Sequence, residues 1–205
     1  MGQYFTNENL KSAVKLIKVQ LGGESFSFYT DNGVFSKRGL DFGTRTMLET
    51  LLKEKLNGDV LDLGCGYGTV GIILSKFFKI NVLMTDVNKR ALHLALKNVK
   101  LNALSNVKIL ESNIYENINS KFDYIVTNPP IRAGKDVVYQ FLFKACEYLK
   151  TGGALYFVIN KNQGANSVIR DLKKIAKVTI LEKNKGFFVI KCIFDWQLAY
   201  LMLII

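Results

Sequence analysis

The two prolines of this chain stand side by side in Thr127-Asn128-Pro129-Pro130-Ile131, and neither supplies a backbone N–H. A following proline holds Asn128 in extended backbone. The segment therefore offers carbonyl oxygens, together with the Asn128 side-chain oxygen, free of competing donors. A planar exocyclic amine, such as adenine N6 or guanine N2, has two N–H groups that match two such acceptors. Holding both hydrogens favours the pyramidal, partly positive nitrogen of a transition state over the flat ground state, and exposes its lone pair for attack on a methyl sulfonium. Asn128, Pro129 and Pro130 are thus candidate catalytic residues although none of them titrates. The plainer alternative is a stiff turn that only stops a strand, and the neighbouring motifs decide against it.

The first of these is VLDLGCGYGTVG, residues 60–71. A strand that ends in a glycine-rich turn and leads into a helix aims backbone N–H groups and a positive helix end at a polar or anionic ligand. Gly66, Gly68 and Gly71 also satisfy the dinucleotide-binding pattern, with Asp86 at the distance expected of a ribose-binding carboxylate, so an NAD-dependent oxidoreductase is a competing reading. Asp62, just before the loop, tells against it: a carboxylate there suits a cofactor with a cationic ammonium or sulfonium better than a pyrophosphate. Asp86 can accept both hydroxyls of a ribose, or can simply start a helix. Asn113 lies after the next strand on the same rim, where its amide can read an adenine edge or close an Asx turn.

These residues need a scaffold that brings consecutive strand ends together. Short β-rich apolar runs at 59–64, 80–86, 106–110, 122–128 and 153–160 alternate with helical spacing at about 69–78, 88–101, 136–150 and 165–174. Such alternation predicts an α/β fold with a parallel sheet covered on both faces. AKVTIL and GFFVIKC, joined by only EKNKG, read as antiparallel neighbours that make the sheet mixed near one edge. Ahead of the sheet, SFSFYTDNGVFS predicts a hairpin turning at Asp31-Asn32-Gly33, followed by a helix from about Thr44 to Leu56. Three parts are expected in one domain: a hairpin and helix extension over 1–58, a catalytic core over 59–192, and an apolar tail over 193–205.

Composition frames the setting. The 205 residues suffice for one compact domain with a real core. The start of the chain lacks a secretory pattern, which predicts a cytoplasmic protein. Cys65, Cys146 and Cys192 are widely spaced with no C-x-x-C pair, so they read as reduced thiols, with neither disulfide framework nor zinc site. A net charge of +11 favours an anionic partner such as nucleic acid. Arg132 and Lys135 after the tripeptide, and Lys161 and Gln163 after the next strand, are candidate phosphate or base contacts on one rim. The lone His93, inside a helix, is assigned no role.

DLGCGYG, TDVN and TNPPI resemble the cofactor and amine-binding motifs of class I S-adenosylmethionine-dependent methyltransferases. GVFSKRGLDFGT, NPPIRAGK and KNQGANS are similar to the methyltransferase-small group related to the bacterial small-subunit rRNA guanine-N2 methyltransferases. The resemblance covers about residues 3–192 and implies a Rossmann-like seven-stranded mixed sheet, six strands parallel and one antiparallel near an edge. It implies that Asp62, Gly64, Gly66 and Gly68 hold the methionine part of the cofactor, Asp86 the ribose, and Asn113 the adenine surroundings. Cys65, Val87 and Ile114 are implied as flanking cofactor contacts. Asn128 and Pro129 would hold the amine, while Phe35 and Thr44 belong to a segment that closes over cofactor and substrate. The chain departs from the pattern at Ile131, where many such enzymes carry an aromatic residue to stack on the base, and Ile131 or Phe35 would supply that contact here. The larger rRNA enzymes also carry an N-terminal domain for which this chain has too few residues before Gly33, so the module is expected to use its own surface for RNA. The resulting expectation is methyl transfer from S-adenosylmethionine to a guanine N2 of small-subunit rRNA, alone or in a ribosomal particle, leaving S-adenosylhomocysteine and using no metal. Methylation of a protein glutamine or small amine, oxidoreduction, and ribosome assembly without chemistry are the competing classes.

Overall fold

A computed structural model describes residues 10–195. The segments 1–9 and 196–205, which carry the expected absence of a secretory signal and most of the apolar tail, lie outside the described residues.

The strands predicted from apolar runs form at β3 (Gly58–Leu63), β4 (Ile80–Asp86), β5 (Val107–Glu111), β6 (Phe122–Thr127), β7 (Leu149–Asn160), β8 (Ala176–Asn184) and β9 (Phe187–Phe194). They make one seven-stranded sheet in the order β5-β4-β3-β6-β7-β9-β8. Every pairing from β5 to β7 is parallel, whereas β9 is antiparallel to both β7 and β8. The reversed strand is therefore one place in from the edge, and β8 runs with the other five. Order reverses at β3, whose neighbours β4 and β6 connect to opposite sides, which opens the ligand crevice of doubly wound sheets at the carboxyl ends of these three strands.

Alternation along the strands feeds two cores. Val60, Val126, Tyr156 and Val158 pack on one face, against α1 (Phe42–Leu51), α2 (Thr69–Phe77) and α3 (Lys89–Leu101). Leu61, Leu63, Ile125, Leu155 and Phe157 pack on the other, against α4 (Lys135–Phe143), α5 (Ala145–Tyr148) and α6 (Ala165–Leu172). Two helices differ from their sequence reading. The first starts at its Asp41 cap and stops at Leu51, short of the expected Leu56. The helix expected over 136–150 is interrupted at Lys144, beside the turn where the Phe141 carbonyl accepts the buried Tyr115 hydroxyl at 2.7 Å, a side chain entering the helical ladder at the break.

The N-terminal hairpin is present but turns elsewhere. It pairs β1 (Lys15–Leu21) with β2 (Glu24–Thr30) through Gly22-Gly23, both at positive φ (+59° and +83°), as a two-residue turn of the primed type requires. Asp31-Asn32-Gly33 instead closes β2. Buried Asp31 accepts Ser12 Oγ at 2.7 Å and the backbone of Ala13 and Asn32, and so ties the incoming chain to the start of a loop over 31–41. All three cysteines are unpaired and buried. No helix among the described residues is long and apolar enough to cross a membrane.

Candidate active site

The glycine loop leaves β3 through Gly64, Gly66 and Gly68, at φ of +74°, +56° and +94°. The Gly64 and Cys65 N–H groups both donate to the Thr85 carbonyl at 2.9 Å, so the loop is strapped to the end of β4. A side chain at Gly71 would collide with Met84, its Cβ 2.6 Å from the sulfur. One at Gly66 would meet nothing within 4 Å. Gly71 is thus needed for packing, whereas Gly66 faces open space where a ligand can approach the backbone.

Two carboxylates serve this loop. Asp62 (2% exposed) accepts the Gly71 N–H through Oδ2 at 2.8 Å. Asp86, at the end of β4, accepts the N–H groups of Gly66 and Asn88 at 2.8 Å each. Burial pushes the Asp62 carboxyl up to about 7 against the Gly71 hydrogen bond, with the Asp86 charge adding to the rise. Burial raises Asp86 too, opposed by its N–H partners Asn88, Gly66 and Val87. Acidic groups sharing a buried pocket are stabilised by a cationic ligand, which fits the ammonium and sulfonium of S-adenosylmethionine and not a pyrophosphate. Cys65, within the loop, is buried, and burial followed by the charges of both carboxylates pushes its thiol up.

Asn113 is exposed and donates its Nδ2 to Glu116 at 2.8 Å, which leaves its oxygen as the acceptor. Ile114 beside it takes φ of +53°, a costly conformation for a β-branched residue. Its carbonyl accepts Ser112 Oγ, and the Ser112 N–H binds the Asp86 carbonyl, so this strained turn is built onto the end of β4.

On the other side of β3, Thr127 Oγ1 donates to the Leu63 carbonyl and sets Asn128 beside the glycine loop. Asn128 Nδ2 donates to Thr44 Oγ1 at 2.9 Å. With its amide nitrogen engaged there, the oxygen is left to accept. No described hydrogen bond ends on the Pro129 carbonyl, but the Pro130 carbonyl accepts Ala133 N–H at 2.9 Å. The acceptors of the tripeptide therefore reduce to Asn128 Oδ1 and the carbonyls before Pro130. This corrects the expectation that the whole segment is free of competing donors, because the short 3-10 turn at Ile131–Ala133 supplies one.

The loop over 31–41 lies across this region. The Tyr67 hydroxyl, in the glycine loop, lies 3.1 and 3.3 Å from the carbonyls of Ser36 and Gly39, and Asn88 Nδ2 donates to the Gly33 carbonyl at 3.2 Å. Phe35, next to Ser36, is 53% exposed. Gly33, Val34, Ser36, Lys37, Arg38 and Arg132 line a groove of about 750 Å³. Of the four polar residues expected on one rim, only Arg132 joins this groove. Lys135 lies over its own helix neighbour Tyr139, 4.9 Å from the ring centre; Lys161 lines a separate groove; Gln163 is exposed. Ile131 is half-buried against the α4–α6 core.

Sequence reasoning passed over four contributors. Lys37 and Arg38 were legible only as part of a motif. Tyr67 stood inside the glycine pattern with no role. Asn98 is an asparagine on the apolar stripe of α3, a signal in itself. Fully buried, it accepts Tyr29 N–H at 2.6 Å and donates to the carbonyls of Tyr29 and Tyr67, both at 2.9 Å.

Residues 25–191 match the model of the methyltransferase small domain. The chain belongs to that family. This methyltransferase is S-adenosylmethionine-dependent, in keeping with the paired carboxylates and open glycine loop. It is 40% identical over 197 residues to the Bacillus subtilis uncharacterized protein YbxB, covering 93% of this chain and 98% of that one. It is 37% identical over 142 residues to ribosomal RNA small subunit methyltransferase C of Haemophilus influenzae (strain PittGG), covering 67% of this chain and 42% of that relative. Among solved structures, the T. thermophilus 16S rRNA N2 G1207 methyltransferase (RsmC) in complex with AdoMet and guanosine superposes with a TM-score of 0.81 and 26% identity, over 91% of this chain and 52% of that one. The methyltransferase thus spans about half or less of the length of these two rRNA enzymes.

Proposed function

We propose that this methyltransferase acts on the exocyclic N2 of a guanine in small-subunit ribosomal RNA. The observation that carries the reading is the Asn128 carboxamide held by Thr44, which leaves Asn128 Oδ1 and the Pro129 carbonyl as acceptors beside a groove lined by Lys37, Arg38 and Arg132. Two acceptors take the two hydrogens of one amine, and three cations take the phosphates on either side of the base. The related rRNA methyltransferase C sequences and the guanosine complex of RsmC support guanine N2 over other amines.

S-adenosylmethionine supplies a methyl group activated by a sulfonium. Asp86, through the ribose hydroxyls, and Asp62, through its negative charge, would hold it against the open backbone of Gly66. Asn128 and Pro129 accept the amine hydrogens more strongly as positive charge develops on nitrogen, and so favour the transition state over the ground state. Phe35 and Ile131 offer apolar surface to a base turned out of its stack.

The test is transfer of labelled methyl groups to small-subunit particles and to naked RNA from cells that lack the gene, with Asn128→Ala alongside. Label in guanine that disappears with the variant is the expected result. Label confined to protein or small amines would overturn the substrate, and undiminished transfer by Asn128→Ala would overturn the assignment of the amine site.

A further inference from the structure

A second groove, of about 520 Å³, lies between α6 and the β8–β9 hairpin. Lys161, Arg170, Lys173 and Lys183 supply its cations, and Ile180 and Phe188 its apolar floor, with no carboxylate in the lining. The one acid of α6, Asp171, is taken up by the Tyr139 hydroxyl at 2.7 Å, by Arg170 at 3.2 Å and by Lys174 at 3.5 Å.

The edge strand is shaped to keep the groove cationic. Regular alternation would put Ile180 and Glu182 on one face and Lys183 on the other. Instead the register shifts between Ile180 and Glu182, so that Ile180 stands opposite Ile190, Glu182 opposite Val189, and Lys183 opposite Phe188. Ile190 and Phe188 belong to the α4–α6 face, and Val189 to the other. The bulge therefore carries Lys183 into the groove, 5.2 Å from the Phe188 ring centre, and turns Glu182 out of it.

The groove opens on the rim that carries Asn128. The Lys161 N–H donates to the Gly186 carbonyl at the hairpin tip at 2.7 Å. Phe187, next to Gly186, packs on Phe42 at 5.7 Å, close to Thr44. Because Thr127 stands opposite Phe157, Lys161 lies on the order of 10 Å further along the strand direction than Asn128.

We infer that this groove is a second RNA site, which holds the phosphate backbone of the acceptor strand at a distance from the methylated base. The inference rests on the RNA reading above and is independent of which base is methylated. Three lysines, with an arginine shared with Asp171 beside them, in a chain of net charge +11, complement a polyanion, and the apolar floor accommodates sugar and base faces.

The test compares the wild-type protein with Lys173→Ala/Lys183→Ala, using deproteinised small-subunit rRNA and assembled small-subunit particles as probes. The double variant should bind naked RNA roughly tenfold more weakly near 0.15 M salt, with a salt slope shallower by about 1.4, or about 0.7 per lysine. S-adenosylmethionine affinity and the rate at saturating RNA should not change, and Lys173→Arg/Lys183→Arg should bind as the wild type does. Unchanged RNA affinity and slope in the alanine variant, with salt-dependent binding by the wild type, would overturn the groove and leave the RNA reading standing. Weaker binding to particles alone would assign the groove to a ribosomal protein and overturn it as an RNA site. A wild-type protein that binds no RNA would overturn both.

Discussion

Thr44→Val keeps the shape and branching of a side chain that is 4% exposed while removing the acceptor of the Asn128 amide. The half-buried amide nitrogen then loses its partner, and the carboxamide loses what fixes its oxygen toward the proposed amine site. A hydrogen bond of this kind contributes about 0.5–1.5 kcal/mol. Lost from amine orientation, that energy lowers the rate roughly 2- to 12-fold at about 1.4 kcal/mol per decade. Single-turnover methyl transfer to RNA at saturating cofactor is the assay, with calorimetric titration of S-adenosylmethionine as the control. Thr44→Ser, which keeps the hydroxyl, should recover most of the rate. The decisive comparison is the double variant: if Thr44 acts only through Asn128, adding Thr44→Val to Asn128→Ala costs nothing further. Additive losses, or a Thr44→Val enzyme at full rate, would refute the positioning role.

Three further outcomes follow from the geometry. Asn98→Ala removes three buried hydrogen bonds joining the hairpin to the glycine loop, at about 1 kcal/mol each, and should lower the melting temperature by roughly 6–12 °C; a shift under about 2 °C would show that this network carries little. Gly66→Ala should fold with about 1 kcal/mol of backbone strain yet bind S-adenosylmethionine weakly, whereas Gly71→Ala should lose stability through its clash with Met84, so thermal melts and titrations should sort the two in opposite ways. The Asp62 carboxyl titrates at about 7 when folded and near 4 when unfolded, so the folded chain retains a proton through that window and stability falls as pH rises across it. A cationic ligand reverses the preference: cofactor affinity should rise roughly tenfold from pH 6 to pH 8 and be flat in Asp62→Asn, and a flat wild-type profile would contradict the assignment.

The sheet was legible because its strands are continuous apolar runs and because their carboxyl ends carry the motifs. EKNKG is too short to cross the sheet, so β8 and β9 had to pair with each other. The hairpin turn was misplaced because Asp31-Asn32-Gly33 and Gly22-Gly23 both satisfy turn chemistry, and only Asp31's contacts with Ser12 and Ala13 show that it anchors the incoming chain instead. The helix over 136–150 read as continuous because nothing nearby in sequence reports a hydroxyl arriving from Tyr115. At the site, Asp62, Asp86 and Asn128 were recognisable by type and position. The Thr44–Asn128 bond joins residues 84 apart in sequence and could be had only from three dimensions.

The position of β9 between β7 and β8 constrains the order in which the protein can assemble. β8 touches the sheet only through β9, so it has nothing to add to until its later neighbour exists. The two strands are expected to zip locally first and dock as a ready-made pair, with the loop closure falling on the β7–β9 seam. Amides of β8 should then exchange with solvent no more slowly than the undocking of that pair allows, however good their own hydrogen bonds. The groove beneath α6 would open and vanish with it as a single unit, while the pocket around Asn128, held by earlier strands, persists.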